Sequence, residues 1–215
     1  MTRHDDYRQP RDPGDVFLPE TPSQTAGPYV HIGLALDVAG LPERDHEIDN
    51  RLAEPEAEGE FIELAGVVLD GADQPVADIL VEAWQADAHG AYVTDFAFDN
   101  VFNSFGRAAP GADDAGRWVF STIKPGRVPY PGAIDMAPHI NLALFARGIN
   151  IHLQTRIYFD DEADDNADCP FLNKVPPHRR DTLIARRAGE SDAGHPRYEI
   201  VIRLQGPEET VFFDY

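Results

Sequence analysis

From Phe61 onward, apolar residues recur at every second position, in short runs broken by turn residues. That period sends successive side chains to opposite faces of an extended chain, so each run specifies a half-buried strand. "FIELAGVVLDGADQPVADILVEAWQAD" reads as strand, turn, strand, with Asp70-Gly71 and Gln74-Pro75 in the connection. "GRWVFSTIKPG" (116–126) is a further strand, closed by Pro125-Gly126. "HINLALFARG" and "INIHLQTRIYFDD" make a hairpin turning at Arg147-Gly148, and "RYEIVIRLQG" with "ETVFFDY" finishes the chain as another pair. One amphipathic helix is predicted, "PPHRRDTLIARRA" (176–188), with basic residues in its last turn. Seven or so short strands with turns between them predict an all-β fold, an antiparallel β-sandwich with long loops and one or two short helices.

Before Phe61 the pattern is different. Residues 1–17 are polar, charged and proline-containing, and read as a flexible extension ahead of a single domain spanning 18–215. "LPETPSQTAGPYVHIGLA" follows, where Pro19, Pro22, Gly27 and Pro28 forbid regular helix or strand. No apolar run approaches the roughly 20 residues of a spanning helix, and the N-terminus has no apolar core of a secretory signal. Cys169 has no partner for an internal disulfide, which points to a reducing cytoplasm.

The 38 acidic residues against 18 basic ones give a formal net charge of −20. Such a field repels phosphate backbones and anionic lipid, which argues against nucleic acid or a membrane surface as partner. It also repels small anions unless a local cation overcomes it, so a basic residue near a pocket gains weight. Arg147, beside Gly148 in "FARGIN", is a basic residue at a turn. A planar guanidinium binds a carboxylate in bidentate fashion; the bland alternative is a solvated turn. In "MAPHIN", His139 and Asn141 are two apart, so on a strand both side chains leave one face. Two histidines at that spacing would make half of a metal site; here the second position is an amide. The acidic run "DDEADDNAD" (160–168) lacks the spaced ligands and glycine of a calcium loop, and reads as a solvated loop. Trp84 and Trp118 read as core residues.

Taken together, "TPSQTAGPYVHIGLAL", "VEAWQADAHGAY", "NSFGR", "TIKPG", "APHINLALFARGINIHLQTRIYFDDE", "CPFLN", "DTLIARR" and "ETVFFDY" resemble the intradiol aromatic-ring dioxygenases. The likeness runs from about Leu18 to Tyr215, and within the family it is to the iron-free, or α, chain of two-chain members that cleave protocatechuate. The resemblance implies a β-sandwich and, in the metal-bearing chain, a ferric ion held by two tyrosinates and two histidines. A hard ion such as Fe(III) favours that set of anionic oxygen with imidazole support. This chain departs from the pattern: Asn141 stands at the second histidine, and "TDFAFDNVFNSF" (94–105), matching the first tyrosine, contains no tyrosine. Tyr130, four residues after Gly126, lies near the second one; between two prolines on a loop, it also reads as a surface residue.

What the resemblance implies for function is therefore specific. Fe(III) belongs to a homologous β subunit, and this chain has no metal ligands and no catalytic residues of its own. Thr25, Gly27, Pro28 and Tyr29 line the mouth of the partner's site, and Arg147 reaches the substrate's carboxylate. Protocatechuate and O2 meet at the shared pocket of an αβ hetero-oligomer. Two other readings stay open: a self-contained homo-oligomeric enzyme with iron on Tyr130 and His139, and a non-catalytic β-sandwich binding module.

Overall fold

The computed structural model describes residues 25–27, 29–42, 44–111, 114–132 and 134–214. The 1–17 extension and Pro28 lie outside them. Eight strands form one sheet: β1 (Phe61–Leu69), β2 (Leu80–Gln85), β3 (Phe105–Ala108), β4 (Arg117–Ile123), β5 (His139–Phe145), β6 (Leu153–Phe159), β7 (Ile184–Glu190) and β8 (Pro196–Arg203). Their order is β3-β2-β5-β6-β7-β8-β1-β4. The outer strands β3 and β4 approach each other, so the sheet nearly closes on itself. Its two halves share one core. Ile62, Leu64 and Val68 of β1, Trp118 and Phe120 of β4, Ile200 and Ile202 of β8 pack with Val81, Ile140, Leu142, Leu144 and Ile157 from the other half. The alternation that specifies the strands is the alternation that fills this core; in β5, Ile140, Leu142 and Leu144 point inward while Asn141 and Ala143 do not.

Gly66 shows how closely the strands are packed. A Cβ there would stand 2.5 Å from the Trp118 ring and 2.7 Å from the Ile200 carbonyl, so the buried indole takes the space a side chain would need. Gly90 is bound in a second way. Its φ of +82° suits glycine, and a Cβ would fall 1.8 Å from the Arg127 carbonyl, so the turn after β2 is pressed against the loop after β4.

The β5–β6 hairpin forms as expected, in register from His139↔Tyr158 to Leu144↔Leu153. Elsewhere pairing departs from sequence neighbours. β1 and β2 belong to opposite halves: Asp70 Oδ1 accepts from the amides of Ala72 and Gln74, and the chain then crosses over instead of folding back. Most neighbouring strands are antiparallel, but β1 runs parallel to β8 and β6 parallel to β7. The helix expected over 176–188 is instead a 3-10 helix, Pro177–Leu183, followed directly by β7. Helix propensity loses there because β6 and β8 would otherwise each present an unpaired edge. Residues 209–214 form no strand; Thr210 exchanges hydrogen bonds with Arg203, and Phe213 N–H donates to the Gln154 carbonyl. Within the acidic run, Ala163–Asp168 makes a short helix where a loop is expected. Trp118 is a core residue, whereas Trp84 is half exposed.

Candidate functional site

The turn of the β5–β6 hairpin brings together two of the described sequence-predicted residues, Thr25 and Arg147. Thr25 lies there although 121 residues separate it from Ala146. Its hydroxyl accepts from the Gly148 amide at 2.8 Å and lies 3.4 Å from the Ala146 carbonyl, so it clasps the turn on both sides of Arg147. Arg147 points into solvent, with its side chain 65% exposed. Its Nε stands 3.0 Å from Asp78 Oδ2 as a contact of charges, without hydrogen-bond alignment. Asp78 is largely buried and its Oδ2 wholly so, whereas the guanidinium side of the pair faces water and keeps donors turned to solvent. Gly27 has open space around it, and its carbonyl accepts from Val30 as the short helix α1 (Val30–Leu34) begins. Tyr29, at the start of that helix, is 76% exposed.

Beside this turn, Thr25, Ala26, Phe145, Ile149, Ile151 and His152 line an open hollow of about 440 Å³. His152 stacks on Phe145 with ring centroids 5.4 Å apart, and Ile151 is 66% exposed. Phe145, Ile149, Ile151 and His152 carry no signal in sequence that sets them apart from other strand-end residues. The hollow is shallow and one-sided, the shape of a partial site that another surface could complete.

The base of the same hairpin is its opposite. His139 and Asn141 leave the face of β5 that turns away from the main core, and a second apolar cluster covers that region: Ala137, Tyr158, Cys169, Leu172, Val175 and Leu183, with Met136 and Phe171 against them. Opposite Asn141 in the register stands Arg156, and opposite His139 stands Tyr158. Arg156 Nε donates to Asn141 Oδ1 at 2.8 Å, its other arm donates to the Met136 sulfur at 3.3 Å, and its guanidinium lies 3.9 Å from the Phe171 ring centre. His139 is fully buried. Its Nδ1 bonds the Ala137 carbonyl at 2.7 Å, while its buried Nε2 has no hydrogen-bond partner. Burial first, and the Arg156 charge second, push this imidazole down to about 3, so it is neutral. Burial also pushes the Tyr158 phenol up, keeping it protonated.

A ferric ion asks for anionic oxygens and several imidazoles. Among the described residues no group of three or more His, Cys, Asp or Glu side chains is placed to hold a metal. The oxygens near His139 are a neutral amide and a protonated phenol, next to a fixed positive charge. Tyr130, half buried, accepts a hydrogen bond from Lys174 Nζ at 3.0 Å. This donor set does not fit Fe(III). Arg156 was the residue missed in sequence; its signal was an arginine inside an apolar strand, directly across from Asn141 once the turn fixes the register.

The Dioxygenase family (Dioxygenase_C) matches residues 38–206, and the chain belongs to the intradiol ring-cleavage dioxygenases. It is 60% identical to the protocatechuate 3,4-dioxygenase alpha chain of Pseudomonas putida over 93% of its own length and 98% of that protein's. It is 34% identical to the beta chain of the Burkholderia cepacia enzyme, over 96% of this chain and 90% of that one. Among solved structures, the dioxygenase domain of a carbohydrate-binding fusion protein from Streptomyces sp. SirexAA-E superposes with a TM-score of 0.56 at 25% identity, covering 79% of this chain and 93% of that one. Catechol 1,2-dioxygenase from Pseudomonas arvilla C-1, at 22% identity and a TM-score of 0.53, covers 75% of this chain and 58% of its own, and shares the fold.

Proposed function

We propose that this chain is the α subunit of a protocatechuate 3,4-dioxygenase, assembled with a homologous β chain that carries the Fe(III). Full-length similarity to an α chain carries the reading: 60% identity there, against 34% to a β chain. The β5–β6 base supports it, because the residues present do not suit a ferric ion. The reaction adds both atoms of O2 across the ring bond between the two hydroxyl-bearing carbons of protocatechuate. It gives 3-carboxy-cis,cis-muconate and releases two protons.

This chain's part is to bind and orient. Arg147 receives the substrate's carboxylate on the side of its guanidinium that faces away from Asp78. Thr25 holds the turn so that the guanidinium is presented in one direction, and Gly27 and Tyr29 contribute to the rim. On a chain of charge −20 this local cation also helps an anionic substrate to approach. The exposed Ile151 in the one-sided hollow, and the exposed Tyr29 four residues after Thr25, suit a surface that a partner covers. Residues 18–215 act as one domain, in a reducing cytoplasm suited to the free, buried Cys169. No helix among the described residues is long and apolar enough to cross a membrane.

The test is iron content, visible absorption and ring cleavage, measured on the chain alone and co-expressed with a candidate β chain. Iron-free, colourless material that becomes coloured and active only with the partner is the expected result. An iron-loaded, active chain on its own would overturn the proposal.

A further inference from the structure

Arg156 is only 8% exposed, and no carboxylate of the described residues lies within ion-pair distance of it. A buried charge without a counter-ion costs several kcal/mol unless its surroundings replace water. Here the replacement is a set of uncharged, electron-rich groups from separate segments: the Asn141 amide oxygen, the Met136 sulfur, the face of Phe171 and the Tyr158 phenol. Close by, His139 Nε2 is buried with its lone pair or proton unmet. Acceptors converging on a desolvated positive group are the makings of a cation pocket. The side chains at 139 and 141 share one face of β5, so a metal ion ligated from both would sit above that face. Arg156, opposite Asn141 and bonded to it, reaches over the same ground.

We propose that Arg156 is the resident cation of this pocket, its guanidinium taking the space a metal ion bound from positions 139 and 141 would need. The chain is thus closed to metal by a covalently attached substitute as well as by a lost ligand. Restoring the ligand alone would then be insufficient, because the occupant remains. Nothing in this proposal depends on which substrate the assembly takes, or on Arg147.

Full-length chains carrying Asn141→His alone and Asn141→His with Arg156→Gln separate the possibilities. Glutamine is shorter and neutral, and still donates to a neighbour. Nickel(II) is titrated calorimetrically, and anomalous diffraction assigns any bound nickel to His139. The expected result is that the double variant binds nickel at this position at least about tenfold more tightly than Asn141→His, a gap of about 1.4 kcal/mol. Equal affinity in the two variants, or no nickel at His139 in either, overturns the proposal. Should the double variant fail to fold, Arg156→Ala is heated with millimolar ethylguanidinium or with ethylammonium. A rise in melting temperature specific to ethylguanidinium, and absent from the unmodified chain, supports an occupant of guanidinium shape; an equal response to both cations overturns it.

Discussion

At its base the β5–β6 hairpin holds one arginine, Arg156, 8% exposed among an amide, a sulfur and a ring; at its turn it holds another, Arg147, with 65% of its side chain in water beside Asp78. The two share a residue type and a hairpin, and differ in what they can do. A guanidinium whose donors are spent on buried acceptors serves the fold, because no ligand can reach it without unpacking Phe171 and Met136. One that stands mostly in water, touching a single buried carboxylate oxygen, keeps donors that a ligand could reach. Position along a hairpin, more than residue identity, separates a buried guanidinium from one open to solvent in this chain.

The division is open to attack by substitution. Arg156→Ala should show the largest effect, a loss of about 2–4 kcal/mol in chemical unfolding from the cavity and the broken hydrogen bonds. KM of the assembled enzyme should not change; a shift in KM would erase the contrast. Arg147→Ala should do the reverse, raising KM for protocatechuate about ten- to hundredfold while unfolding moves by less than about 0.5 kcal/mol. Unchanged kinetics would remove Arg147 from the pocket.

The third test uses acid. An unfolded histidine gains its proton below its ordinary pKa of 6.5, whereas folded His139 stays neutral until about 3. Protons therefore favour the unfolded chain. The stability this residue contributes is complete above pH 6.5 and is lost as pH falls toward 3, by about 1.4 kcal/mol over the first unit. His139→Gln should flatten that part of the pH–stability curve relative to the unmodified chain, and an identical slope would show that the imidazole is not held neutral. The smallest effect is expected of Thr25→Val, which removes the clasp on Gly148. Loss of about 1 kcal/mol of turn order should raise KM roughly fivefold, with kcat unchanged. A matching fall in kcat would give Thr25 a part beyond positioning.

Much of the hairpin was legible before any coordinates. The alternation in "HINLALF" and "LQTRIYF", with Arg147-Gly148 between them, is local information, and the register follows from the turn. The amide at position 141 could be read in the same way. Arg156 was hidden only because its partner is across the strand, not adjacent in sequence. Other features depend on contacts that no local window holds. Thr25 clasps a turn 121 residues away, Asp78 approaches Arg147 from the loop before β2, and "IARRAGE" becomes β7 because two distant strands leave an edge to be filled. Its composition favours helix, and the sheet overrides that preference.

The parallel pairing of β1 with β8 has a consequence for synthesis. Glu63 and Arg197 face each other across that seam, joined by a hydrogen bond spanning 134 residues. As the chain leaves the ribosome, β1 emerges early and must wait for β8, with one of its edges open for most of translation. Contacts of such long range make folding slow, and an apolar edge left unpaired invites association with other nascent chains. The first strand made is therefore the last to be secured, and what shields it in the interval bears directly on how much functional protein a cell obtains.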